Sequence, residues 1–174
     1  EAFFFTENDT IVQGGDEVPY ADILANSGYA YKKYQLDRFV QNPGDPNDND
    51  VNHDVIRFAD VILMAAEAKI RQGDVAEGVA FINQIRRRAD PSGSILADRP
   101  TAVSEAEAFD FLVAERQVEL NMEQVRRLDL VRWGLAQENI DNFQVNKHEY
   151  FPIPQSEINN NASISEEDQN PGYN

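Results

Sequence analysis

The chain has 174 residues, 41% of them hydrophobic, enough material for one domain-sized core. Thirty-one Asp and Glu against fifteen Lys and Arg leave a formal charge of -16, a field that repels nucleic-acid phosphates and anionic lipid headgroups but leaves a neutral sugar unaffected. Cysteine is absent, which excludes disulfides, thiol nucleophiles and thiolate metal sites within this stretch, and no run approaches the roughly 18 apolar residues of a membrane span.

Residues 1–53 read as an irregular or short-strand segment with an acidic loop. Glu1-Ala2-Phe3-Phe4-Phe5 is not a basic and apolar leader, so residue 1 is expected to lie inside a longer protein. Turn signals stand at Gly14-Gly15, Pro19 and Ser27-Gly28. The run Tyr29 to Tyr34 suits a strand with Tyr29 and Tyr31 on one face and Tyr34 on the other. Asn42-Pro43-Gly44-Asp45-Pro46 and the Asn and Asp residues to Asp50 then form a surface loop. Oxygens within 45–54 suit calcium, but the EF-hand pattern fails: Asp50 stands where its glycine belongs and the closing Glu is missing. A plain solvated loop is the favoured reading.

At Asp54 the period changes to that of a helix. Val55, Ala59, Ile62, Leu63, Ala66 and Ile70 form one apolar stripe, and Phe58, Val61 and Ala65 widen it, predicting a helix buried over much of its girth. Gly73 ends it. Asp74, with Glu77 three residues on, caps a second helix through about Ala89, whose inner face is Val75, Val79, Ile82 and Ile85 or Ala89. So tight a turn makes the pair antiparallel, with Ala66 and Gly78 small enough for close approach. Residues 54–89 are therefore a tetratricopeptide-like hairpin, a unit that buries its second face on a neighbouring repeat, and that neighbour is expected upstream of Glu1.

Residues 90–174 hold the remaining helices and a proline-rich closing coil. A linker over 90–103 leads to Ser104, which with Glu107 forms a capping box. Ala108, Phe111, Leu112, Glu115, Val118 and Met122 continue at helical spacing to about Asn121. A fourth helix carries Leu128, Val131 and Leu135 on one face with Trp133 beside it, and Gly134 loosens it. Beyond Tyr150, Pro152, Pro154 and Pro171 predict ordered coil.

Catalysis needs an activated nucleophile, a tuned acid and base, or a metal. His53 and His148 lie on different elements without zinc-ligand spacing and read as solvated or locally bonded. Glu115, Arg116, Glu119, Glu123, Arg126, Arg127, Asp129 and Arg132 could be imagined as a glycosidase site. Matched arginines and carboxylates at spacings of three and four instead predict structural ion pairs, the opposite of a proton donor's surroundings. What remains is aromatic: Tyr20, Tyr29, Tyr31 and Tyr34 are the candidate ligand contacts, since Tyr stacks on the apolar face of a pyranose, while Trp133 reads better as core and Phe3 to Phe5 as core or strand. No catalytic or metal-ligating residue is assigned.

Three groups of residues resemble the SusD/RagB family. Arg57-Phe58-Ala59-Asp60-Val61-Ile62-Leu63 running to Ala66-Glu67-Ala68 is similar to the family's Arg-Tyr-Ala-Asp-Val-Leu-Leu helix ending in Ala-Glu-Ala. Glu115-Arg116, Glu119-Leu120 and Asp129-Leu130-Val131-Arg132-Trp133-Gly134 match its Glu-Arg, Glu-Leu and Asp-Leu-x-Arg-Trp-Gly series. Pro152-Ile153-Pro154 and Gln169-Asn170-Pro171-Gly172-Tyr173 match its closing elements. Met122-Glu123-Gln124 departs from it, where the family commonly has Gly before the Arg, a change in how two helices meet.

The resemblance implies a mainly α, SusD-like fold in an incomplete chain, the C-terminal portion of a non-catalytic lipoprotein on the outward face of the outer membrane. It implies capture of oligosaccharides or peptides for a SusC-like TonB-dependent transporter, with the lipid anchor and most helical repeats in the remaining N-terminal part. No family ligand-binding residue transfers to a position here. Two rivals stand beside glycan binding: a region that only buttresses the repeats and docks on the transporter, and an acidic glycosidase, for which no motif is found.

Overall fold

A computed structural model of the protein describes residues 54–173 in full and, by their backbone, residues 4–5, 10–13, 16–19 and 30–31. Four short strands form two antiparallel pairs. Strand β1 (Phe4–Phe5) pairs with β4 (Ala30–Tyr31), and β2 (Thr10–Gln13) pairs with β3 (Asp16–Pro19), Thr10 facing Pro19 and Gln13 facing Asp16. Pro19 thus closes a strand where a turn was expected, as a proline can at a strand end.

The described chain is mainly helical. Helices α1 (Phe58–Arg71), α2 (Val75–Ala89) and α3 (Glu105–Glu119) belong to one compact unit, Glu1–Glu119. The shorter α4 (Arg126–Arg132), α5 (Ala136–Asn139) and α6 (Gln155–Asn160) belong to a second, Leu120–Asn174. The boundary therefore falls inside residues 90–174, and α3 groups with the hairpin.

α1 and α2 form the expected hairpin. Gln72, Gly73 and Asp74 close α1: the Gly73 N–H donates to the Ile70 carbonyl at 3.1 Å and the Asp74 N–H to the Lys69 carbonyl at 2.9 Å. That bond pair needs a left-handed residue, and Gly73 supplies it at φ 88°. Gly134 ends α4 by the same device, with the Leu135 N–H on the Leu130 carbonyl, so it terminates this helix and does not loosen it. Asp74 makes no side-chain cap on α2; it and Glu77 both bind Lys69, at 3.3 and 2.8 Å.

Leu63, Ala66, Ile70, Val79, Ile82, Ala108 and Leu112 are fully buried and form the three-helix core. Each large apolar side chain there contributes roughly 1.5–3 kcal/mol by leaving water. Several expected core positions lie elsewhere. α1 starts at Phe58, because Arg57 is extended (φ -105°, ψ 155°), so Val55 and Ile56 precede the helix and stand exposed. Phe58, Val61 and Met64 are also exposed: α2 and α3 both pack on α1 and the Ala59–Ile70 stripe is what is buried, so α1 is covered on one side among the described residues. Val118 of α3 is exposed, and so is Met122, which lies beyond the helix end at Glu119. In α4 the buried residues are Asp129 and Leu130, and Leu128 is exposed. The closing stretch is less coiled than expected, containing α6 and a single 3-10 turn at Glu166–Asp168.

Met122 and Gln124 both hold left-handed backbone, at φ 68° and 62°. A non-glycine residue there costs about 1–2 kcal/mol, of which the greater unfolded-state freedom of glycine returns roughly 0.5–1. Gln124 is exposed, so Gln124→Gly is expected to stabilise the protein by about 0.5 kcal/mol in urea unfolding. Ala114→Gly, at an exposed position within α3, should lose about 1 kcal/mol in the same assay.

Candidate functional site

Tyr20, Tyr29 and Tyr34 lie outside the described residues, as do His53 and all of the acidic loop except Asp54. Tyr31 is described by its backbone alone, opposite Phe4. Within the described residues the polar side chains concentrate where α1, α2 and α3 meet.

Glu119, 5% exposed, accepts from Arg57 through Oε1 at 3.0 Å and from Arg88 through Oε2 at 2.8 Å, while Arg57 also donates to the Glu119 carbonyl. One turn back, Glu115 accepts from Arg86 at 2.9 Å, and Arg116 donates to Asp60 at 2.8 Å. These contacts tie α3 to both helices of the hairpin. The ion pairing expected from sequence is present, and Glu115 and Glu119 reach arginines on α2 and at the residue before α1, beyond the spacings within one helix. In the second unit Arg132 pairs with Asp129 at 2.9 Å, and Arg127 donates to the His148 carbonyl. An acid whose oxygens are each claimed by a guanidinium is arranged to hold helices together.

A second polar set was not anticipated. Asn83, buried on α2, donates to the Arg99 carbonyl at 2.9 Å and accepts the Arg99 N–H at 2.7 Å, and Arg86 Nε donates to the Ala97 carbonyl. Asp90 accepts from the Ser92 hydroxyl at 2.5 Å and from the N–H groups of Leu96 and Ile95 at 2.9 and 2.7 Å. The linker is thereby pinned to α2. Those donors, the Ser92 hydroxyl first and then the Leu96 and Ile95 amides, hold the Asp90 carboxyl far below the usual carboxylate range. With the folded value depressed, this stabilisation is complete above about pH 5 and drains away as pH falls through the unfolded carboxylate range near 4 and below. The urea midpoint of Asp90→Asn should therefore lie below that of the natural chain at pH 7 and converge on it towards pH 2.

A cleft of about 340 Å³ opens at the start of α1, lined by Ile56, Phe58, Ala59, Ile62 and Ile85 with Asp54, Arg57 and Arg88 at its polar side. Aromatic rings in the second unit carry cations on their faces: Arg132 over Trp133 at 4.6 Å, Arg127 over Phe151 at 5.2 Å and Lys147 over Tyr173 at 5.1 Å. A sugar stacking on those faces would have to displace them. No group of three or more metal-ligating side chains is found among the described residues, and no described helix is long and apolar enough to cross a membrane.

Two motifs far apart in sequence meet in the second unit. The Gln169 side chain accepts the Ile153 N–H at 2.7 Å and donates to the Ile153 carbonyl at 3.0 Å. Asn170 donates to the Phe151 carbonyl at 2.7 Å, and the Tyr173 hydroxyl donates to the Tyr150 carbonyl at 3.1 Å. Gln-Asn-Pro-Gly-Tyr is thus the strap that satisfies the backbone of Tyr150 to Ile153, where the prolines at 152 and 154 interrupt any regular ladder.

The sequence model of the SusD family matches residues 15–150. The chain belongs to the SusD family. Its SusD-family relatives include SusD-like protein P2 of Formosa agariphila, 31% identical over an alignment of 169 residues that covers 88% of this chain and 32% of that protein. Starch-binding protein SusD of Bacteroides thetaiotaomicron is 34% identical over 135 residues, covering 71% of this chain and 22% of that protein. The crystal structure of a SusD superfamily protein from Bacteroides vulgatus superposes with a TM-score of 0.55 at 35% identity, over 66% of this chain and 26% of that one. The chain spans about a third or less of the length of the SusD proteins it matches.

Proposed function

We propose that this SusD-family chain is part of a cell-surface protein that binds oligosaccharides without cleaving them and delivers them to a SusC-like TonB-dependent transporter in the outer membrane. Family membership over residues 15–150 carries this reading, with support from the similarity to a protein named for starch binding. The engagement of Glu115 and Glu119 by arginines is consistent with binding in place of hydrolysis. Tyr20, Tyr29, Tyr31 and Tyr34 are the proposed ring-stacking contacts.

Calorimetric titration of the whole protein with malto-oligosaccharides and other neutral oligosaccharides, alongside an assay for new reducing ends, tests the proposal. Saturable binding with no new reducing ends is expected. Binding of peptides but of no oligosaccharide would replace the ligand class, and hydrolysis that disappears in Glu115→Gln would replace the mechanism.

A second reading is favoured by the cations seated on Trp133, Phe151 and Tyr173 and by the number of side chains spent on tying helices together. In it this region buttresses the protein and docks on the transporter, and ligand contact lies elsewhere. Unchanged affinity after alanine replacement of the four tyrosines, with retained co-purification of the transporter, would select it.

A further inference from the structure

The Gln144 N–H donates to His148 Nδ1 at 3.0 Å, and the Lys147 and His148 N–H groups both donate to the Gln144 carbonyl, at 3.2 and 2.9 Å. The imidazole also stands edge-on to Phe143, with ring centroids 5.7 Å apart. A backbone N–H can only donate, so Nδ1 offers its lone pair and the ring proton sits on Nε2. A protonated imidazole has N–H at both nitrogens, which would set two donors against each other here.

This turn carries one side of the closing strap. Gly172 lies against the aliphatic chain of Lys147, where a Cβ at 172 would approach Lys147 Cβ to 2.8 Å, and the Lys147 ammonium sits over the Tyr173 ring. The carbonyl of His148 accepts from Arg127 of α4. We infer that His148 is an acid-sensitive clasp, its imidazole closing the 144–148 turn while Nδ1 is unprotonated and releasing that turn, and the strap against it, when Nδ1 gains a proton. The described charged groups beside His148 are Arg127 of α4, which reaches its carbonyl, and its chain neighbours Lys147 and Glu149. Lost contacts on protonation come from a single hydrogen bond at a position with three others leaning on it, so the response is local and graded.

Amide hydrogen exchange of the whole protein at about pH 8 and about pH 5, corrected for intrinsic exchange, tests the clasp across the range in which imidazoles change charge. The N–H groups of Gln144, Lys147, His148 and Tyr173 are expected to lose protection roughly three- to tenfold at the lower pH, the change expected for one net hydrogen bond, while those of α1 to α3 serve as an unchanged reference. His148→Asn, whose amide oxygen accepts without titrating, should keep these protections equal at both pH values, and His148→Phe should leave them low at both. A pH response in His148→Asn as large as in the natural chain, or none in the natural chain, overturns the inference.

Discussion

Glu115→Ala is expected to destabilise the three-helix unit by about 3–5 kcal/mol, the usual effect of removing one partner of a buried ion pair. Both side chains are shielded, at 10% exposed for Arg86 and 7% for Glu115, and their contact is 2.9 Å. Alanine would leave a guanidinium between helices with, among the described residues, the Ala97 carbonyl as its remaining hydrogen-bond partner. Most of the loss is the cost of that orphaned charge, not the worth of the pair. Glu115→Gln, which keeps an acceptor in place, should cost less, about 1–3 kcal/mol. Replacing both partners by apolar residues, Arg86→Met with Glu115→Leu, should return stability to within about 2 kcal/mol of the natural chain, since the hydrogen bond to Ala97 is then the main loss. Urea unfolding of the natural chain and the three variants measures each loss. A single-alanine loss under about 1 kcal/mol would show that water reaches the pair and that α3 is held by its apolar stripe alone.

The hairpin was legible because Ala59, Ile62, Leu63, Ala66 and Ile70 repeat at helical spacing and Gly73 follows them. Periodicity identifies a stripe but not how many neighbours cover it, which is why Phe58 and Val61 read as core and are exposed. The pinning of the linker had a signal that apolar patterning overlooks: Val79, Asn83, Arg86 and Asp90 are spaced four, three and four, so polar residues continue the buried face of α2. Glu115 and Glu119 similarly extend the Ala108 and Leu112 stripe. A carboxylate on an apolar stripe must find its partner on another element, yet sequence spacing names only the partners within a helix. The candidate tyrosines rest on composition and loop placement, and Tyr31 alone gains a structural position, in β4. Gln-Asn-Pro-Gly-Tyr was visible as a motif, but its bonds to Tyr150, Phe151 and Ile153 follow from a chain reversal that no local pattern encodes.

At Gly78 two effects of opposite sign compete, and their sizes decide the outcome. Alanine within a helix is favoured over glycine by about 1 kcal/mol. A Cβ at 78, however, would lie 2.6 Å from Ile70 Cγ1, 2.9 Å from the Ala66 carbonyl oxygen and 3.1 Å from the Ile70 nitrogen. Ile70 Cγ1 belongs to a fully buried side chain, and the other two atoms are backbone of α1, which no rotamer change can move aside. Relief requires the two helices to separate, opening gaps around Ile70 and Val79, both 0% exposed. Overpacking of this kind costs about 1–3 kcal/mol and more for backbone contacts, so the propensity gain is outweighed. Gly78→Ala is expected to lose about 1–2 kcal/mol net, and Gly78→Leu more than about 4, with the hairpin forced open. A second change, Ile70→Ala, which removes Cγ1 but leaves the Ala66 carbonyl in place, should recover little of the alanine variant's loss when that loss is measured against Ile70→Ala alone. Full recovery in that double variant would mean that the side chain, and not the backbone of α1, sets the distance between the helices.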